Sequence, residues 1–140
     1  MTQEERQKEK ELLLNTLKDG LPYGLQLQIT DINDFSFNGE LCVLSKNWCR
    51  LNITDPVKRT KVKNQTIPLN YIYIKPYLFP LSSMTEEQSK VYHELINGMF
   101  GTSALINFEV LTDFFNSNHL DYRGLIKRGL AIDATGLNIY

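Results

Sequence analysis

An α+β fold is predicted by three observations: an N-terminal stretch of strong helix formers, a switch to strict two-residue alternation at Tyr23, and a return to helical spacing after Thr85. The architecture expected is an N-terminal helix over 1–20, a small antiparallel β-barrel or curled sheet within 21–80, and a C-terminal helical module over 81–140. All three parts are expected to belong to one compact domain, because 140 residues leave room for little more.

Each element has a local cause. Thr2 followed by Glu5 is a capping box, and the residues after it favour helix to about position 18. Residues 3–11 have nothing to bury, so the helix is expected to dock by Leu12, Leu13, Leu14 and Leu17 alone. Asp19-Gly20 and Pro22 stop it. Leu25, Leu27 and Ile29 then alternate with Gln26, Gln28 and Thr30, as a half-buried strand requires. Asp31 to Asp34 reads as a turn. Phe35 to Phe37 and Leu41 to Leu44 are expected to form a hairpin about Asn38-Gly39, a pair that favours a type I′ turn. Trp48 to Ile53 is the next strand, Asp55-Pro56 breaks it, and 57–66 is a loop or ragged hairpin. Ile67 to Ile74 closes the set, with Leu69, Tyr71 and Tyr73 on one face. Lys75 to Pro80 is expected to be a stiff linker, since its two prolines remove donors.

Thr85 with Gln88 forms a second capping box, opening a helix that carries Val91, Tyr92, Leu95, Ile96, Met99 and Phe100 at helical spacing. A third helix follows, with Phe108, Leu111 and Phe115 on one side and Val110 and Phe114 beside them. These are expected to face the second helix or cover the sheet. A short fourth helix, Tyr122 to Arg128, is expected to be capped by Asp121, anchored by Leu125 and Ile126, and ended by Gly129 at positive φ.

Composition narrows the function classes. Apolar content of 42% and aromatic content of 11% support a real core. The longest apolar run falls well short of a membrane span, and the mixed-charge start MTQEERQKEKE is neither a signal nor a transit peptide. A cytoplasmic location is expected, with no membrane partner. There Cys42 and Cys49 stay free thiols; their spacing fits no zinc pattern, and His93 and His119 lie far along the chain. No metal and no cofactor are expected. Walker, Rossmann, nucleophile-elbow and metalloprotease motifs are absent from the sequence, so the chain is expected not to be an enzyme. Gly98-Met-Phe-Gly101 has the outline of a KH clamp but lacks its small or basic interior pair, and reads better as helix-ending glycines. His119 beside Asn118 and Asp121 admits an oriented acid–base pair, although such residues gather in turns for local hydrogen-bonding reasons.

Three patches bear a family resemblance: Leu21-Pro-Tyr-Gly24, Ile74 to Thr85 (IKPYLFPLSSMT), and Asp121-Tyr-Arg-Gly-Leu-Ile126 with Gly129-Leu130. In that order they resemble uncharacterised proteins encoded by phages and prophages of gut bacteria. The resemblance implies a bacterial host cell, and it brings no activity, cofactor or catalytic residue with it. Within it Asp121, Tyr122, Arg123, Gly124 and Gly129 read as a structural motif.

The net charge of −1 is unevenly spread. Residues 46–75 hold seven cations and one acid, whereas 1–45 hold four bases and eight acids, and 76–140 four and seven. Lys58, Arg59, Lys61 and Lys63, flanked by Trp48, Tyr71 and Tyr73, have the ingredients of a single-strand nucleic-acid surface: charge for phosphates, rings for bases. A solvated loop explains the same lysines. The function expected is an accessory protein acting through protein contacts or self-association, with nucleic-acid binding by the 46–75 segment as the alternative.

Overall fold

The computed structural model describes residues 2–31, 33–54, 61–69, 73–98 and 104–140. Helix α1, Gln3–Gly20, begins with the expected box: Thr2 Oγ1 accepts from Glu5 N at 3.2 Å, and Glu5 Oε2 accepts from Thr2 N at 3.1 Å. Residues 2–8 are all exposed, while Leu17 is fully buried and Leu12 and Leu13 pack on the same core. A 3₁₀ turn at Leu21–Tyr23 and Gly24 at φ 68° lead into the sheet.

The strands are β1 Gln26–Thr30, β2 Ser36–Leu44, β3 Trp48–Thr54, β4 Lys61–Pro68, β5 Tyr73–Leu78 and β6 Ile132–Asp133. They form one mixed sheet in the order β4-β3-β2-β1-β5-β6, antiparallel except for the β5–β6 pair. Among the described residues β4 and β6 do not pair, so the sheet is open and does not close into a barrel. One face carries Leu27, Ile29, Leu41, Cys49, Leu51, Ile67 and Ile74, buried with Leu17 of α1 and with Leu125 and Ala131. The other face is polar along Gln26, Gln28 and Thr30.

Four expectations are corrected. Asn38-Gly39 is not a turn but mid-strand, with Gly39 opposite Leu27 on one side and Ile53 on the other. A Cβ there would lie 3.2 Å from both the Asn52 carbonyl oxygen and Leu51 Cβ, so glycine serves close strand approach. The reversal lies at Asp31 to Asp34 instead, where Asp31 Oδ1 accepts from Asn33 N and Phe35 N and Asp34 takes φ 60°. Second, 67–74 is not one strand: β4 ends at Pro68 and β5 begins at Tyr73. Third, Lys75 to Leu78 is strand rather than linker. Pro76 is tolerated opposite Leu27 because β6 begins pairing only at Tyr77, leaving the missing N–H without a partner strand.

Fourth, 122–128 is not an α-helix, because Gly124 at φ +74° breaks it after two residues. What remains is one turn, capped at both ends. Asp121 Oδ1 accepts from Leu125 N at 2.7 Å and Oδ2 from Ile126 N at 2.9 Å. At the far end Gly129, φ +75°, donates to Ile126 O and Leu130 N to Leu125 O, a Schellman closure. The segment then supplies β6, which the sequence pattern had not indicated.

Helices α2, Glu86–Gly98, and α3, Ala104–Ser117, form a hairpin whose base is tied to the sheet. Thr85 and Gln88 make the expected reciprocal box at 3.0 and 3.1 Å. A second cluster of Leu111, Phe115 and Leu120, with Phe79, Tyr92 and Leu95 around it, holds the hairpin together.

Candidate interaction surfaces

The turn after α3 brings together much of what the sequence marked out. His119 adopts φ 55°, which turns the chain so that Phe79 N donates to His119 O and Asp121 N to Phe79 O, both at 2.8 Å. The His119 ring stacks on Tyr140 with centroids 3.8 Å apart, and Nε2 donates to Tyr23 O at 2.8 Å. Burial lowers the His119 pKa, so the ring favours its neutral form. The Tyr140 hydroxyl donates to Tyr77 O at 2.6 Å and accepts from Gln26 N at 3.0 Å, and burial pushes its pKa well up. Both carboxylate oxygens of Asp121 cap the following turn. Asn118 donates to Phe114 O and accepts from Gln88. His119, Asn118 and Asp121 thus hold three different pieces of backbone and not one another.

Tyr122 stacks on Phe115, centroids 4.9 Å apart, and the Arg123 guanidinium lies 4.7 Å from the Tyr122 ring centroid. Arg123 also pairs with Asp19 and donates to Thr16 Oγ1 at 3.4 Å, tying the turn to the end of α1. The partly open cleft between Thr16, Gly20, Asn116, His119 and Tyr122 offers about 10 Å³ to water, room for about one molecule.

The basic segment is distributed differently. Lys58, Arg59 and Tyr71 lie outside the described residues. Lys61 and Lys63 lie on β4, the outermost strand, with Lys61 opposite Thr54. Trp48 opens β3 opposite Pro68, and Arg50 Cζ sits 5.7 Å from its ring centroid. Val43, Arg50 and Thr66 are paired across β2, β3 and β4 on the polar face. Tyr73, 77% exposed, opens β5 opposite Thr30. Trp48 adjoins the Leu44 end of β2 and Tyr73 the Ser36 end, three strands across, so register alone separates them by roughly 30 Å. The structure does not gather Trp48 and Tyr73 into one stacking platform.

The helical hairpin holds what sequence reasoning missed. Phe108, 59% exposed, and Val110, 43% exposed, do not bury against α2, and Val91 is exposed as well. Positions 108, 109 and 110 sweep about 200° of the helix circumference, and all three are exposed. Buried contact at this turn is left to Leu111. Along the same two helices Glu86, Glu87, Glu94, Glu109 and Asp113 are exposed, against one exposed cation, Lys90. The signal in the sequence was the excess of large apolar residues over what one helix–helix seam can cover.

Neither the protein-family models, the curated proteins nor the solved structures contain a match to this chain.

Proposed function

We propose that the protein is a non-enzymatic interaction module that binds a protein partner through the α2–α3 hairpin. The observation that carries this reading is the run Phe108-Glu109-Val110, exposed at every position on a helix whose next residue is core. Large apolar side chains left in water among charged neighbours are the usual anatomy of a contact site. The groups best suited to acid–base work, His119 and Asp121, are committed to backbone, which favours binding over catalysis. The resemblance of the Leu21, Ile74 and Asp121 patches to phage-encoded proteins supports an accessory role for a mobile element in a bacterial host. Photo-crosslinking in the producing cell tests the reading. A benzophenone side chain at position 108 is expected to give a discrete protein adduct that the same group at Thr66 does not. No adduct from position 108, or the same adducts from both positions, refutes it.

A second reading rests on Arg50 against Trp48, exposed Lys46, and the lysines of β4: nucleic-acid binding by the 46–75 segment. Affinity for single-stranded oligonucleotides would then fall steeply with salt, and be abolished by replacing Lys58, Arg59, Lys61 and Lys63 with serine. No anisotropy change at low salt excludes it.

A further inference from the structure

We infer that residues 135–140 are a strap with two settled positions: closed, with the Tyr140 hydroxyl wedged into the ladder between β1 and β5, and open, with that ladder zipped by one further rung.

The hydrogen bonds of the sheet define the wedge. Leu41 N donates to Leu25 O across the β1–β2 side, so Leu27 and Ile29, opposite Gly39 and Phe37, also face β2. Backbone groups of an antiparallel strand alternate sides, and those of Gln26 and Gln28 therefore face β5. Gln28 lies opposite Lys75, which places Tyr77 opposite Gln26 as the next two-bond pair. The ladder stops one pair short of it. Gln26 N instead donates to Tyr140 Oη at 3.0 Å, and that hydroxyl donates to Tyr77 O at 2.6 Å. When the hydroxyl withdraws, the start of β1 closes the gap by moving about 2 Å to direct bonding distance. Both backbone groups are paired in either position, so opening leaves neither without a partner.

The strap is lightly held. Thr135 to Asn138 are all exposed, and the chain turns at Gly136, φ 77°, and Asn138, φ 52°. Among the described residues the hydrogen bonds of Thr135 N and Leu137 N reach back only to Asp133 and Ala134. Tyr140 itself is 43% exposed; its ring rests on His119, centroids 3.8 Å apart, and beside Phe79 at 5.7 Å. Strands β5 and β6 are fastened without it. Tyr77 Oη donates to Asn38 Oδ1 at 2.7 Å, Tyr77 pairs with Ile132, and Ala134 N donates to Leu78 O at 2.9 Å. Opening is therefore confined to 135–140, and it uncovers the His119 imidazole and the Phe79 ring. His119 also lines the cleft beside Tyr122 and Arg123, so the closed strap braces one wall of that cleft.

Nuclear magnetic resonance on the parent and on Tyr140→Ala tests the strap. In the variant a through-hydrogen-bond coupling between the Gln26 amide nitrogen and the Tyr77 carbonyl carbon is expected to appear. Hydrogen exchange of the Gln26 amide is expected to stay within about tenfold of the parent. The His119 titration midpoint, lowered by burial in the parent, is expected to move back toward 6.5 as the ring loses its cover. In the parent, relaxation dispersion is expected at the Gln26, Phe79 and His119 amides as the two positions interchange on the μs–ms timescale. A Gln26 amide that exchanges about a hundredfold faster in Tyr140→Ala, with no coupling to Tyr77, shows a fixed anchor whose loss leaves an unpaired donor, and the inference falls. Flat dispersion in the parent overturns it as well. Should the variant fail to fold, the dispersion of the parent decides alone.

Discussion

Asp121→Ala probes the joint between the helical hairpin and the sheet. The carboxylate accepts from Leu125 N at 2.7 Å and Ile126 N at 2.9 Å, and the first of these bonds is buried. An exposed N-cap is worth about 1 kcal/mol. Here two donors lose a charged acceptor, and Leu125, fully buried in the main core, is the residue they position. Hydrogen bonds to charged groups contribute roughly 1.5–3 kcal/mol each, and a buried N–H left unpaired costs about 1–3 kcal/mol. Because one of the two donors can turn toward water, the expected loss is about 3 kcal/mol. For a chain of this size that corresponds to a fall of about 10 °C in the thermal midpoint. Asp121→Asn keeps one acceptor oxygen and should lose about half as much. Urea denaturation of the three proteins, followed by circular dichroism, measures the differences. A midpoint for Asp121→Ala within about 0.5 kcal/mol of the parent would show that the turn holds without its cap, and the reasoning would fail.

Gly39→Ala is expected to destabilise by about 1–3 kcal/mol, because the added Cβ presses on the Asn52 carbonyl oxygen and Leu51 Cβ at 3.2 Å; an unchanged urea midpoint would contradict the close strand approach. Deleting residues 1–10 should barely move the thermal midpoint, whereas deleting through Leu17 removes Leu12, Leu13 and Leu17 from the core and should cost several kcal/mol, on the order of two or more large side chains; equal midpoints would show that α1 does not dock. The His119 pKa is depressed by burial from 6.5, so the unfolded chain takes up that proton more readily; this contribution to stability is complete above pH 6.5 and is lost as the pH falls from there towards the folded value. His119→Gln should flatten that part of a stability–pH curve, and a parent curve already flat there would refute the assignment. Tyr140 shifts the other way: its raised pKa means stability is lost as the pH climbs above 10.0, and Tyr140→Phe should remove that loss.

The elements legible in the sequence were those whose signals are local. Both capping boxes, the alternation through Leu25, Leu27 and Ile29, the Asp31 turn, the Asp121 cap and the positive φ of Gly129 each depend on residues within a few positions. The misreadings came from distant partners. Asn38-Gly39 has the chemistry of a hairpin turn, but Gly39 is needed where β2 runs between β1 and β3. Lys75 to Leu78 looks like a proline linker until β1 pairs with it, and Ile132–Asp133 is too short to show a period. The same limit governs the surfaces. Sequence spacing put Trp48 and Tyr73 beside the basic cluster, but strand order and register send them to opposite ends of the sheet. Phe108 and Val110 sit at helical positions suited to a core, yet both meet water.

Whether Phe108 and Val110 stand free for contact rather than in the core is decided by the stability of the Phe108→Ser, Val110→Ser double variant. Exposed positions change stability by about 0.5 kcal/mol or less, whereas buried Phe and Val truncations cost several kcal/mol. A urea midpoint close to that of the parent is expected. A loss of about 3 kcal/mol or more would place both side chains in the core and contradict it.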